Sequence, residues 1–483
     1  MTAQRALVAG VDSSTQSTTV VVIDAETGVQ VARGRAPHEV TGTGGARESD
    51  PNGWWTALRD ALAMTGHARD IAAISIGAQQ HGLVVVDAAG EPLRPAVLWN
   101  DTRSAPQTAA LVSALGPEAW VDRIGSVPVP SFTVTRWAWL REVEPAIAAA
   151  TRGIRLPHDY LTERLCGNAV TDRGDASGSG WWSTATGSYD PAILSLPTVS
   201  LDERMLPEVL PPDRAAGVIR DVAARELGLA PGVVVGIGTG DNMASALGLR
   251  LGTGTPVISL GTSGVAYAVS VGRPADRSGM VAGFADATGR FLPLTATLNC
   301  TLAVDRVCGW LGLDRDAVAP SDGVVALPWF DGERTPNLPD AQAAILGLRH
   351  DTPPGAILGA TYEGAVVGLL DAVVAIGDCS DPLDPSAPIV LIGGGARGHA
   401  WQETVRRLSG RPVRVSTDTD LGARGAAAQA AAALLGTGPI AVQGGWSAPE
   451  SIELDAVPVD ERVLARFRSV RDAVMDTVGA LRR

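Results

Sequence analysis

Two short hairpin patterns, half a chain apart, constrain this sequence more than any other feature. The first runs from Leu7-Val8-Ala9-Gly10-Val11-Asp12 through a polar turn, Ser13-Ser14-Thr15-Gln16-Ser17, into Thr18-Thr19-Val20-Val21-Val22-Ile23-Asp24. The second runs from Val257-Ile258-Ser259-Leu260 through Gly261-Thr262-Ser263-Gly264 into a strand over 265–270. β-Branched apolar runs that stop at Gly/Ser/Thr clusters read as buried strands entering tight turns. A plan repeated at this distance points to duplicated halves facing one another. Each turn offers backbone N–H groups and hydroxyls with little side-chain bulk, the make-up of an anion cradle.

Just ahead of the second hairpin, Val233-Val234-Val235-Gly236-Ile237-Gly238-Thr239-Gly240 delivers Asp241 beside Asn242. A carboxylate next to a phosphate cradle is what moving a phosphoryl group onto a hydroxyl requires. Either stretch alone is equally compatible with an ordinary strand–turn–helix junction.

The bulk properties narrow the chemistry. A chain of 483 residues exceeds one typical core, so two or more domains follow. A net charge of −13 and a pI near 5.0 argue against general nucleic-acid binding. Cys166, Cys300, Cys308 and Cys379 form no CxxC pair, so neither a disulfide framework nor a zinc site is indicated. No secretory signal pattern opens the chain and no apolar run reads as a bilayer span, so a cytosolic protein without membrane partners is expected. The chain also contains no lysine. That removes a Walker-type lysine, a protein-kinase strand lysine and a Schiff-base lysine. Nucleotide chemistry here rests on backbone N–H groups, hydroxyls, arginine and a metal ion.

Polar residues collect at strand ends, where open α/β folds place ligands. Glu48-Ser49-Asp50-Pro51 precedes a helix to about residue 64, with Asp50 as N-cap and Pro51 as first helical residue. A strand over 71–76 ends at Gln79-Gln80-His81-Gly82, which offers three polar side chains to a polyol; the alternative is a histidine that merely completes its turn. A strand over 93–98 leads to Trp99-Asn100-Asp101-Thr102-Arg103. Residues 104–230 read as helical with proline-rich interruptions, Leu156-Pro157-His158-Asp159 and Val170-Thr171-Asp172 standing out, and a domain boundary fits near 242–250. Further on come a dense polar loop, Gly332-Glu333-Arg334-Thr335-Pro336, and a strand over 389–392 delivering Gly393-Gly394-Gly395-Ala396-Arg397. Those glycines let a phosphate-bearing ligand lie against backbone, or simply open a helix. A strand over 412–416, an alanine-rich helix over 421–435 and a terminal helix over 460–482 complete the reading.

Together these motifs resemble the FGGY carbohydrate kinases, most closely those acting on D-xylulose, over nearly the whole chain. The resemblance implies a two-domain α/β, actin-like ATPase (ribonuclease H-like) fold: a duplicated mixed-sheet core with flanking helices and a cleft between domains. Residues 1–243 would bind sugar and 244–483 ATP. It makes Asp241 the general base and Asp12 the carboxylate near Mg²⁺ and the transferring phosphate. Gln80, His81, Trp99, Asn100, Arg103 and Asn242 would face the sugar. Thr15, Gln16, Gly261, Thr262, Ser263, Gly394, Gly395 and Ala396 would face ATP. Two positions depart from the pattern: Ser14 replaces a glycine of the first hairpin, and Thr19 replaces a basic residue. Gln80 stands where some D-xylulose kinases carry methionine, so sugar choice is less fixed than reaction type. The activity implied is ATP-dependent formation of D-xylulose 5-phosphate, with ribulose, a pentitol such as arabinitol, glycerol or gluconate as alternative acceptors. A non-catalytic sugar sensor is the rival of another class. A dehydrogenase fails for want of a strand–GxGxxG–helix fingerprint near the chain start. The relatives suggest a homodimer.

Overall fold

The computed structural model describes residues 6–338 and 340–481, with 476–481 described by backbone alone. Two mixed sheets form its frame. In the first, β1 (Leu7–Ser13), β2 (Ser17–Asp24) and β3 (Gln30–Pro37) make an antiparallel meander, and β4 (Ile71–Ala78) lies parallel to β1 on the other side. β5 (Ala215–Val218) and β6 (Val234–Gly236) close the edge as an antiparallel pair, with β6 parallel to β4. Short β7 (Thr239–Gly240) continues beside the end of β4.

The second sheet repeats the plan. β8 (Val257–Leu260) and β9 (Gly264–Tyr267) form its hairpin, joined by β10 (Ala282–Ala285) and β11 (Phe291–Thr297) on the β9 side. β12 (Ile389–Ile392) and β13 (Val413–Ser416) follow parallel to β8, and β14 (Ser451–Leu454) closes the edge antiparallel. Read outward from each hairpin, the strand directions agree position by position. The halves differ in that the antiparallel edge strand precedes its neighbour in the first and follows it in the second.

Helices cover both sheets. Strand β2 is buried at every position, as expected for a strand covered on both faces. α1 (Pro51–Thr65) starts as the sequence predicts: the Asp50 carboxylate accepts from the Asn52 N–H, Pro51 opens the helix, and Gly66 ends it at φ 70°. Its buried stripe of Trp54, Leu58, Ala61 and Leu62 packs on β2 and β3. α2 (Pro157–Cys166) and short α3 (Arg173–Ser177) stand beside β4 and β7. α4 (Asp241–Gly248) runs unbroken through the position where the sequence divides the halves. α5 (Thr301–Leu311), α6 (Pro354–Cys379) and α7 (His399–Ser409) cover the second sheet.

α8 (Leu421–Leu435) belongs to the second half in sequence but packs on β1 and β4 of the first. Its small residues allow backbone contact. A Cβ on Gly10 would lie 1.8 Å from the Ala423 carbonyl oxygen, and one on Gly425 would lie 1.8 Å from that of Ala244. α4 and α8 are therefore pressed together behind the strands that carry the candidate acids.

Several expectations need correction. The strand over 93–98 shrinks to Ala96–Val97, paired with Glu48–Ser49, because Pro92 and Pro95 interrupt the ladder donors. Residues 104–230 are not purely helical: Gly153–Arg155, Val170–Asp172 and Glu208–Leu210 form small strand pairs too short to give a period. α6 is long and apolar enough to cross a membrane by length and composition; 72% of its most apolar window is buried, so it is a core helix. The terminal helix is Glu461–Leu481; Arg482, its expected end, lies outside the described residues. Cys300 and Cys308 are buried free thiols at and in α5.

Candidate active site

Strand register brings the two acids together. Asp12 and Thr239 both stand opposite Gly77, on the two sides of β4. One intervening strand separates their backbones, about 9–10 Å at ordinary strand spacing, and Asp241 follows two residues later at the start of α4. Its Oδ1 accepts from its neighbour Asn242, through the backbone N–H at 2.8 Å and through Nδ2 at 2.9 Å. Burial pushes the Asp241 carboxyl up to about 8, the Asp12 and Asp175 charges adding to it and the Asn242 bonds opposing. Burial likewise raises Asp12 to about 6, with Asp420 adding and Arg35 opposing. Two acids held above their ordinary range at one strand end form a place for a cation and for a proton acceptor.

Asp12 Oδ1 is buried without a hydrogen-bond partner, which fits a carboxylate awaiting a hard cation. Among the described residues no group of three or more His, Cys, Asp or Glu side chains forms a metal cage.

The wall that carries Gln79, Gln80 and His81 lies beyond β4. His81 adopts φ 66°, and its Nδ1 meets the Gly178 carbonyl at 2.8 Å. Nδ1 therefore carries the proton and Nε2 is an acceptor. The ring stacks on Phe132 at 5.3 Å and touches Phe284 of β10 at 5.5 Å, so the second half reaches this wall. Burial first, then the positive charge of Arg136, lowers the imidazole to about 3 and keeps it neutral. Gln80 Oε1 accepts from Asn242 Nδ2 at 3.0 Å, tying this wall to the neighbour of Asp241. Gln80 Nε2, both amide atoms of Gln79 and Asn100 Oδ1 are buried without partners, an arrangement that a polyol would satisfy. Trp99 Nε1 donates to Thr15 Oγ1 at 3.1 Å, linking the wall to the first hairpin, whose tip exposes Gln16. Arg103 is engaged elsewhere. Its guanidinium bonds Asp101 and Glu48 and lies 4.3 Å over Trp139, so it fixes the loop rather than offering a free cation.

On the second sheet the two remaining turns leave the same end. β8 and β12 are parallel neighbours with Ser259 opposite Ile392. The Gly261 and Thr262 carbonyls accept from Thr301 and Leu302 of α5, which anchors the Gly261-Thr262-Ser263 turn. Gly393 adopts φ 86°, and Gly394–Arg397 form a 3₁₀ turn ahead of α7. A Cβ on Gly395 would meet Leu260 and Thr301 at 2.9 Å, while Gly394 faces open space. Ala396 is buried beneath this turn.

Four residues around the site are not picked out by the sequence as site residues. Arg136, fully buried, donates to the carbonyls of His81, Ser131 and Trp99 and so fixes the wall around His81. His158 is buried among carboxylates: Nδ1 lies 2.6 Å from Asp175 and Nε2 lies 3.2 Å from Asp159. Asp172 caps α3 and accepts from Thr239 Oγ1 at 2.8 Å, two residues before Asp241. Arg334 stands in the Gly332–Pro336 loop, which Glu333 pins to the backbone of Leu298 and Asn299. The stretches around 158, 172 and 334 stood out in the sequence, but only the packing of α2 against α3 and of the loop against β11 gives them neighbours.

The family comparisons agree with this geometry. Residues 7–248 match the N-terminal domain of the FGGY family of carbohydrate kinases, and residues 257–434 match the C-terminal domain. The chain is 57% identical to the xylulose kinase of Streptomyces coelicolor over 97% of its length and 96% of that protein, and equally similar to the xylulose kinase of Streptomyces rubiginosus. The crystal structure of xylulose kinase from Bifidobacterium adolescentis superposes with a TM-score of 0.85 at 35% identity, covering 97% of this chain and 99% of that one. Duplicated sheets, paired acids at one strand end and matches spanning both halves lead to one conclusion: the chain belongs to the FGGY family of carbohydrate kinases.

Proposed function

We propose that this kinase transfers the γ-phosphoryl group of ATP to the primary hydroxyl of D-xylulose, giving D-xylulose 5-phosphate and ADP. The observation carrying the choice of sugar is the 57% identity to two xylulose kinases across nearly the full length of both partners. Sugar lies against residues of the first unit (1–243), and ATP lies on the turns of the second (244–483). Neutral His81 accepts a sugar hydroxyl on Nε2, while Gln79, Gln80, Trp99, Asn100 and Asn242 supply the remaining hydrogen-bonding positions. Asp241 takes the proton of the attacking hydroxyl as the new O–P bond forms and the bond to the β-phosphate oxygen breaks. The Gly261-Thr262-Ser263 turn and the Gly394-Gly395-Ala396 turn cradle phosphates and nucleotide through N–H groups and hydroxyls, with Thr15 and Gln16 facing them from the first hairpin. Asp12 would hold Mg²⁺, which neutralises phosphate charge when bound. Closing the cleft keeps water from competing with the sugar.

The test is ADP formation with MgATP across D-xylulose, D-ribulose, L-ribulose, xylitol, D-arabinitol, glycerol and gluconate. The expected result is the highest kcat/KM with D-xylulose. A clear preference for another acceptor would move the substrate, and no sugar-stimulated ADP formation would overturn the reading.

A further inference from the structure

We infer that Arg35 of β3 is the cation that meets the terminal phosphate of ATP at the first hairpin. This rests on the kinase reading above. The hairpin turn itself offers only hydroxyls and N–H groups, and a chain without lysine must bring positive charge to a phosphate on arginine.

Register places Arg35 in line with the site. Asp12 stands opposite Thr19, and Thr19 stands opposite Arg35. Directly opposed residues of antiparallel strands share a face, so the three form one row across β1, β2 and β3. Thr19 in the middle is short and neutral and brings no charge of its own to the row. Ser17, two residues from Thr19, lies on the same face and nearer the turn. Arg35 Nε and Nη2 both donate to Ser17 Oγ, at 3.2 and 3.1 Å. The side chain therefore lies along the sheet toward the hairpin tip.

Its charge is uncommitted. Arg33, on the same face, is paired with Asp420 through Nε at 2.6 Å and Nη2 at 3.0 Å. Among the described residues no carboxylate forms such a pair with Arg35, which is exposed. Two of its five N–H groups are used on Ser17, so three remain in a fixed fork suited to phosphate oxygens. Its field already reaches Asp12, where it opposes burial and Asp420. The residue that binds phosphate at this hairpin thus comes from the third strand, not from the hairpin.

Calorimetric titration of MgATP and MgADP into the wild type, Arg35→Gln and Arg35→Lys tests this without requiring turnover. Arg35→Gln should weaken ATP about 10- to 100-fold, the worth of charge-assisted hydrogen bonds, and weaken ADP less than about threefold. The KM for D-xylulose and the melting temperature should stay near the wild-type values, and Arg35→Lys should recover part of the ATP affinity. ATP affinity within twofold of wild type in Arg35→Gln, or ATP, ADP and sugar weakened alike, would overturn the assignment. Selective loss of ATP affinity in an enzyme that ignores D-xylulose would support Arg35 and overturn only the choice of sugar.

Discussion

Replacing His158 by glutamine should damage both stability and the pH profile, and the size of each effect can be worked from its surroundings. The ring is fully buried, with Nδ1 2.6 Å from Asp175 and Nε2 3.2 Å from Asp159 and 4.0 Å from Asp172. Nδ1 is hydrogen-bonded to Asp175, while Nε2 faces Asp159 as a close charge neighbour without a hydrogen bond. Burial disfavours a charge on the ring, but Asp159, Asp175 and Asp172 outweigh it and raise the imidazole to about 9. Breaking a buried ion pair costs about 3–5 kcal/mol. Asp159 and Asp172 already sit at about 7 and 6 and can take up protons, which holds the cost near the lower end. At about 2–4 °C per kcal/mol for a domain of this size, Tm at pH 7 should fall by about 6–12 °C. The sign follows from a folded pKa above the unfolded one: the stabilisation is present below about pH 6.5 and is lost as pH rises through about 9. The gap between wild type and variant should therefore close above pH 9. Asp175 also raises Asp241, so without the imidazolium the acid limb of kcat/KM should move to higher pH. His158→Lys, which keeps a positive charge, should restore part of both. Scanning calorimetry and pH–rate profiles would refute the reasoning if His158→Gln left Tm within about 1 °C and the acid limb unmoved.

Three further outcomes follow from the site and the fold. Asp241, held near 8 in the free enzyme, carries a proton at pH 7 and should lose it when a nucleotide-bound divalent cation arrives. Titration in buffers of different ionisation enthalpy should detect release of up to about one proton per MgATP at pH 7, fading by pH 9; no release at pH 7 would contradict the raised value. Gly10→Ala forces a Cβ to within 1.8 Å of the Ala423 carbonyl and should cost about 3 kcal/mol or more in urea unfolding. Gly53→Ala in α1 meets nothing within 4 Å and should instead stabilise by about 0.5–1 kcal/mol.

Much of the frame was legible because local signals and tertiary roles coincided. The two hairpins, the Asp50 cap, β12 and α8 carry patterns that require nothing beyond their own residues. Asp12 and Asp241 could be picked out because each ends an apolar strand. What the sequence does not show is partners that come from distant positions. Arg103 is held by Asp101, Glu48 and Trp139, contacts that no local pattern announces. His158, Asp172 and Thr239 carry no spacing signature, because their cluster exists only once α2, α3 and β7 meet. The packing of α8 on the first sheet is hidden for the same reason. Its small-residue pattern announces close contact but not with which sheet.

The central claim is that Asp241 is the proton acceptor, and Asp241→Asn tests it most directly. Steady-state kinetics with MgATP and D-xylulose should give a kcat lowered by about 10²–10⁴-fold, the usual contribution of a positioned general base. Calorimetric affinities for sugar and MgATP should stay within a few-fold of wild type, since asparagine preserves the shape. A kcat within about threefold of wild type, with both ligands still bound, would contradict the account.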